Sequence, residues 1–73
     1  MPSLPPLSGP EIVRALERLA FARVSQRGSH VKMRSGRLTV IVPLHREVKR
    51  RTLSSILRQA EVSTNEFLKA LAQ

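Results

Sequence analysis

The sequence predicts an α+β fold: a two-layer sandwich of helix, three antiparallel strands and helix, with a short helix at the C-terminus. Three observations predict it. Apolar residues recur at helical spacing from Ile12 to Leu19, at a period of two between Phe21 and Pro43, and at helical spacing again from Leu53 to Ala60. Only one sheet face is then apolar, so helices lying on it leave the opposite face to solvent.

Residues 1–7, with Pro2, Pro5 and Pro6, read as a flexible extended lead, and 8–73 as one domain. Ser8-Gly9-Pro10-Glu11 is a capping box with proline where no amide partner is needed. The first helix therefore starts there, turns Ile12, Val13, Leu16 and Leu19 inward, and ends near Ala20. Alternation then gives a first strand with Ala22, Val24 and Gln26 on one side and Arg23, Ser25 and Arg27 on the other. Gly28-Ser29 turns into a second strand, where His30, Lys32 and Arg34 alternate with Val31 and Met33. Ser35-Gly36-Arg37 turns again into the β-branched run Leu38 to Val42, which Pro43 closes. Residues 44–48 form a loop. Leu53, Ile56, Leu57 and Ala60 give a second helix one core-facing stripe, and Ser63-Thr64-Asn65-Glu66 caps a short third helix carrying Phe67, Leu68 and Leu71. This order resembles a double-stranded RNA-binding domain.

A chain of 73 residues supports one modest core and no large active site. The apolar share of 41% is that of a folded protein, unlike that of a disordered basic tail. The sequence contains no cysteine, which excludes disulfides, thiolate nucleophiles and cysteine-based metal sites. The longest apolar stretch, Leu38 to Leu44, is too short to span a membrane, and the first residues lack the basic start and apolar run of a signal peptide. The expected compartment is the cytoplasm. The net charge is +8, and between Arg18 and Arg58 a single acid, Glu47, interrupts the basic residues. A field of one sign calls for a polyanion or an acidic partner. Phe21 and Phe67 sit at apolar positions, so stacking on single-stranded bases is poorly provided for and recognition of backbone shape is favoured.

Alternation places Arg23, Ser25, Arg27, His30, Lys32 and Arg34 together on the solvated face, with His30 directly after the Gly28-Ser29 turn. An imidazole among cations suits phosphodiester chemistry, because it moves a proton while Lys and Arg hold phosphate oxygens. RNA supplies its own nucleophile in the 2′-hydroxyl, so no metal or cofactor is needed. By spacing alone His30 reads more readily as an ordinary turn histidine than as a catalytic one, whereas the basic face, so one-signed, reads more readily as a binding surface than as a merely solvated one. His45 reads as structural or as a phosphate contact, not as a second catalytic group. Lys49, Arg50 and Arg51 open the second helix against its dipole, a conflict that a docked phosphate would offset.

The run Ser8-Gly9 with its amphipathic helix, Phe21, Gln26-Arg27-Gly28-Ser29-His30, Val40 to Val42 with Pro43-Leu44-His45, Lys49, the stretch Thr52 to Ala60 and Ser63 to Phe67 resembles a HicA-type toxin. The resemblance covers Ser8 to Leu71. It implies a fold like the double-stranded RNA-binding domain and the activity of an mRNA interferase in a type II toxin-antitoxin module. The histidine of Gly-Ser-His, here His30, would be required for activity. It also implies a HicB-like antitoxin that forms a hetero-oligomer over the histidine region. Two positions depart from the pattern: Glu61 and Arg51 stand where glycine is common. A left-handed non-glycine residue costs about 1 kcal/mol or more, so the exit of the second helix is expected to be built differently.

The leading expectation is an endoribonuclease with His30 as the catalytic residue. Its expected RNA contacts are Arg27, Gly28, Ser29, Lys32, Arg34, Lys49 and Arg50. The alternatives are a non-catalytic double-stranded RNA-binding module and a DNA-binding partner protein.

Overall fold

The computed structural model describes Leu4 and residues 6–73. Helix α1 spans Gly9–Arg18 and starts where the sequence places it. Ser8 Oγ accepts from the Glu11 amide at 3.3 Å, and the Glu11 carboxylate accepts from the Ser8 amide at 2.9 Å. These bonds, made to the charged form, hold the Glu11 carboxyl below its usual range. At the other end the Phe21 amide reaches back to Leu16 O at 3.0 Å and the Ala20 amide to Glu17 O at 3.2 Å. This is a Schellman exit, with Ala20 at φ 73 where glycine is usual.

Three antiparallel strands follow in the order β1 (Ala22–Arg27), β2 (His30–Ser35), β3 (Leu38–Pro43). In β2 and β3 the alternation holds: Val31, Met33, Val40 and Val42 are buried, while Arg34, Thr39 and Ile41 are exposed. Strand β1 departs from it. The register slips between Arg23 and Ser25, leaving Val24 as an extra residue. Two residues of β1 thus oppose one of β2, and every side chain before the bulge changes sides. Ala22 pairs with Arg34 on the outer face, whereas Arg23 pairs with Met33 on the helix side. There its guanidinium lies 3.3 Å from the Glu17 carboxylate of α1. The expectation that Arg23 joins the solvated cationic face is therefore corrected, and so is the inward side given to Val24, which is 48% exposed.

Helix α2 (Arg50–Ala60) packs on β3, and α1 crosses the same sheet face. Its exit is also of the Schellman type, with the Val62 amide on Leu57 O at 3.0 Å and the Glu61 amide on Arg58 O at 3.2 Å. Glu61 takes the left-handed conformation itself, at φ 57 and ψ 39. The exit is thus built as with glycine, contrary to expectation, and Glu61 carries the strain. Leu57 is buried and Val62 packs against the core beside it, the apolar contact that usually closes this motif.

Helix α3 (Thr64–Leu71) begins with a second capping box, Ser63 with Glu66, and packs against α1. The Arg18 guanidinium donates to Ala70 O at 2.8 Å, placing a cation at the negative end of α3. One core joins both layers, and among the described residues no polar or charged one is buried.

The lead is tied down where it is described. Leu4 and Leu7 are buried in that core, and the Val48 amide donates to Leu7 O at 2.7 Å in an isolated antiparallel bridge. The 44–48 loop thus ends in a bridge to Leu7. Residues 1–3 and Pro5 lie outside the described residues.

Candidate nucleic-acid interface

The β1–β2 hairpin closes on the pair Arg27 and His30. Gly28 stands at φ 54 with nothing within 4 Å of where a Cβ would be, so the turn needs glycine for its backbone angle, not for space. Gln26 Nε2 donates to Gly28 O at 3.0 Å, an exposed bond across the turn. His30 follows as the first residue of β2, exposed, opposite Pro43 of β3.

Two backbone bonds fix the segment after Pro43 against this turn. The Leu44 amide donates to Ser29 O at 2.6 Å, and the Gly9 amide donates to His45 O at 2.8 Å. Gly9 can approach so closely only because it has no side chain: a Cβ there would lie 2.1 Å from Pro43 O. The result is a second exposed imidazole beside the first. The His30 and His45 ring centres are 6.2 Å apart, with their planes at 74°. Sequence reading kept His45 apart from the chemistry, because nothing local links residues fifteen positions apart.

On the outer face Ser25 pairs with Lys32, and Arg27 with His30. Together with Ile41 these four residues line a depression of about 430 Å³. Arg34 lies further along the same face, its Nε 3.5 Å from Thr39 Oγ1. Among the described residues the single ion pair is Arg23 with Glu17, so the cations of this face are uncompensated.

Lys49 and Arg50 do not join this depression. Lys49 is the N-cap of α2 and makes no side-chain cap, and the first turn holds no acid, so the dipole conflict is present as expected. Both residues line a separate small hollow with Pro6, Glu47 and Val48. The α2 cations that do border the sheet face are Arg51 and Arg58. They line a groove with Ser55 and with Ile41, which also lines the histidine depression. The sequence reading placed Arg51 only at the helix start with Lys49 and Arg50 and did not join it to Arg58, although positions 51, 55 and 58 follow the i, i+4, i+7 spacing of one helix side. Among the described residues no group of three His, Cys, Asp or Glu is placed to hold a metal ion. No helix among them is long and apolar enough to cross a membrane.

A hydroxyl nucleophile, a phosphate and a proton acceptor could meet on such a surface. Compared with known families, residues 9–62 match the model of the HicA toxin of bacterial toxin-antitoxin systems. No curated protein matches the chain.

Proposed function

The chain belongs to the HicA toxin family, and on that premise we propose that it is an endoribonuclease, an mRNA interferase that needs no metal and is neutralised by a HicB-like antitoxin in the cytoplasm. Membership makes it a toxin of a toxin-antitoxin system and implies an antitoxin partner. The observation that carries the nuclease reading is the placement of His30, exposed in the same depression as Arg27 and Lys32. His30 exchanges a proton with the reacting RNA, while the two cations and Arg34 oppose the charge that gathers on the phosphate oxygens. Gly28 and Ser29 keep the hairpin tip small, so that a strand can come close. Lys49 and Arg50 hold the backbone at the start of α2, where helix amides and cations together favour phosphate.

Attack by the 2′-hydroxyl forms a new O–P bond, breaks the bond to the 5′-oxygen and leaves a 2′,3′-cyclic phosphate and a 5′-hydroxyl. The test is incubation of purified protein with RNA in the presence of a chelator, beside His30→Ala. Cleavage by the wild type and none by the variant is expected. Equal cleavage by both would remove His30 from the mechanism. Binding that weakens steeply with salt and yields no products would leave a duplex-binding module instead.

A further inference from the structure

Cleaving a phosphodiester in this way moves two protons: one leaves the attacking hydroxyl, and one must reach the departing oxygen. A single imidazole in contact with both oxygens would have to release the first proton on one side of phosphorus and deliver it on the other. The structure offers a second imidazole. We propose that His45 is the second proton-transfer group, paired with His30 across one phosphodiester, an inference that rests on the endoribonuclease reading.

Both rings are exposed, and among the described residues neither is held in an ion pair. Their centres stand 6.2 Å apart. Each ring nitrogen must come within about 2.6–3.2 Å of the oxygen it serves, so rings at this separation can flank one phosphorus, one at the attacking and one at the leaving oxygen. The 74° angle between the planes lets their nitrogens point to different oxygens.

The backbone supplies the second part of the case. Three separate constraints set the position of His45: the bond from the Leu44 amide to Ser29 O, the bond from the Gly9 amide to His45 O, and the close packing of Gly9 on Pro43. The first ties the His45 segment to the residue that precedes His30. The second and third tie it to the start of α1, whose Ser8–Glu11 box fixes that end of the helix. Both imidazoles are thus mounted on one braced unit, as proton-transfer groups that act in one step need to be.

In the reaction, one ring in its neutral form takes the 2′-hydroxyl proton as the O–P bond forms. The other, as imidazolium, gives its proton to the 5′-oxygen as that bond breaks. The pair ends with its protons exchanged and returns to its starting state through water.

The experiment compares wild type, His30→Ala, His45→Ala and His45→Gln on ordinary RNA and on RNA with sulfur replacing the bridging 5′-oxygen at the cleaved position. A thiolate departs without a proton. Both His45 variants are expected to slow cleavage of ordinary RNA by about 10²–10⁴-fold, the usual worth of a positioned acid or base. The wild-type rate is expected to rise and then fall with pH, and each histidine variant to lose one limb. The variant that loses the alkaline limb has lost the acid, and it alone is expected to recover on the sulfur substrate. Thermal midpoints check that the exposed substitution leaves the fold intact. His45 variants that cleave at the wild-type rate would overturn the proposal. So would a loss of rate with both pH limbs kept and no recovery on sulfur for either histidine, which would make His45 a backbone contact only. Wild-type protein that leaves both substrates whole removes the endoribonuclease reading and the pair with it.

Discussion

Gly9→Ala is the substitution that most directly tests how the first helix is seated. The added Cβ would lie 2.1 Å from Pro43 O, 2.6 Å from Leu44 Cα and 2.9 Å from Pro43 C. All three are backbone atoms, so no rotamer change relieves the overlap, and helix and connection must separate. Overpacking of this kind costs about 1–3 kcal/mol. Separation also weakens the bond from the Gly9 amide to His45 O, worth about 1 kcal/mol. Alanine's better helix propensity offsets up to about 1 kcal/mol. The net loss is about 2 kcal/mol, out of the roughly 4–11 kcal/mol that a domain of this length holds. At about 4–8 °C per kcal/mol, the thermal midpoint is expected to fall by about 8–16 °C. Unfolding followed by circular dichroism, wild type beside variant, measures it. A midpoint within about 2 °C of wild type would show that the α1 start does not depend on this close approach.

Other consequences can be checked in the same way. Glu61→Gly relieves about 1–2 kcal/mol of left-handed strain and loses about 0.4–1 kcal/mol to the freer unfolded chain, a net gain of about 0.8 kcal/mol at mid-range, so a rise in midpoint of about 3–6 °C is expected; a fall in midpoint would mean that Glu61 carries no such strain. The capping boxes predict acid sensitivity. Glu11 and Glu66 are held below 4.5 by bonds from Ser8 and Ser63, so their contribution is complete above that pH and is lost as pH falls through the lower folded values. In urea unfolding between pH 6 and pH 3, the doubly substituted Glu11→Gln, Glu66→Gln protein is expected to show a flatter decline than wild type, and parallel curves would contradict it. Under the RNA reading, Arg27→Ala and Lys32→Ala are each expected to lower the slope of log affinity against log salt by about 1, measured by fluorescence anisotropy on duplex RNA. An unchanged slope would take that residue off the phosphate path.

Whatever was fixed by neighbours in the chain was legible in the sequence. The two capping boxes and the alternation from His30 to Ser35 each involve residues within a few positions, and each stands as read. The Val24 bulge was not legible, because it is a property of two strands in register and β1 alone gives no sign of it. The error it caused fell on Arg23, which exchanged the cationic face for a carboxylate on α1. At Glu61 the local rule pointed away from a left-handed exit, but packing at Leu57 and Val62 held the chain in it. His30 and, Arg23 apart, the cations of the sheet face could be placed by period alone. His45 could not, since its position depends on bonds from Leu44 to Ser29 and from Gly9 to His45 that only the folded chain makes.

Among the described residues strand β1 has one neighbour, β2, and all six residues of β1 are exposed. A strand left open along one side is a template on which another chain can add itself, copies of the same protein included. The bulge at Val24 breaks the regularity such addition needs, and Arg27 on the same strand makes like copies repel. The positive charge of this small domain thus has a colloidal role: it keeps bare molecules apart. That protection ends when an anionic partner neutralises the charge, so the form of this protein most exposed to self-association is the one with its cations occupied and its edge still open.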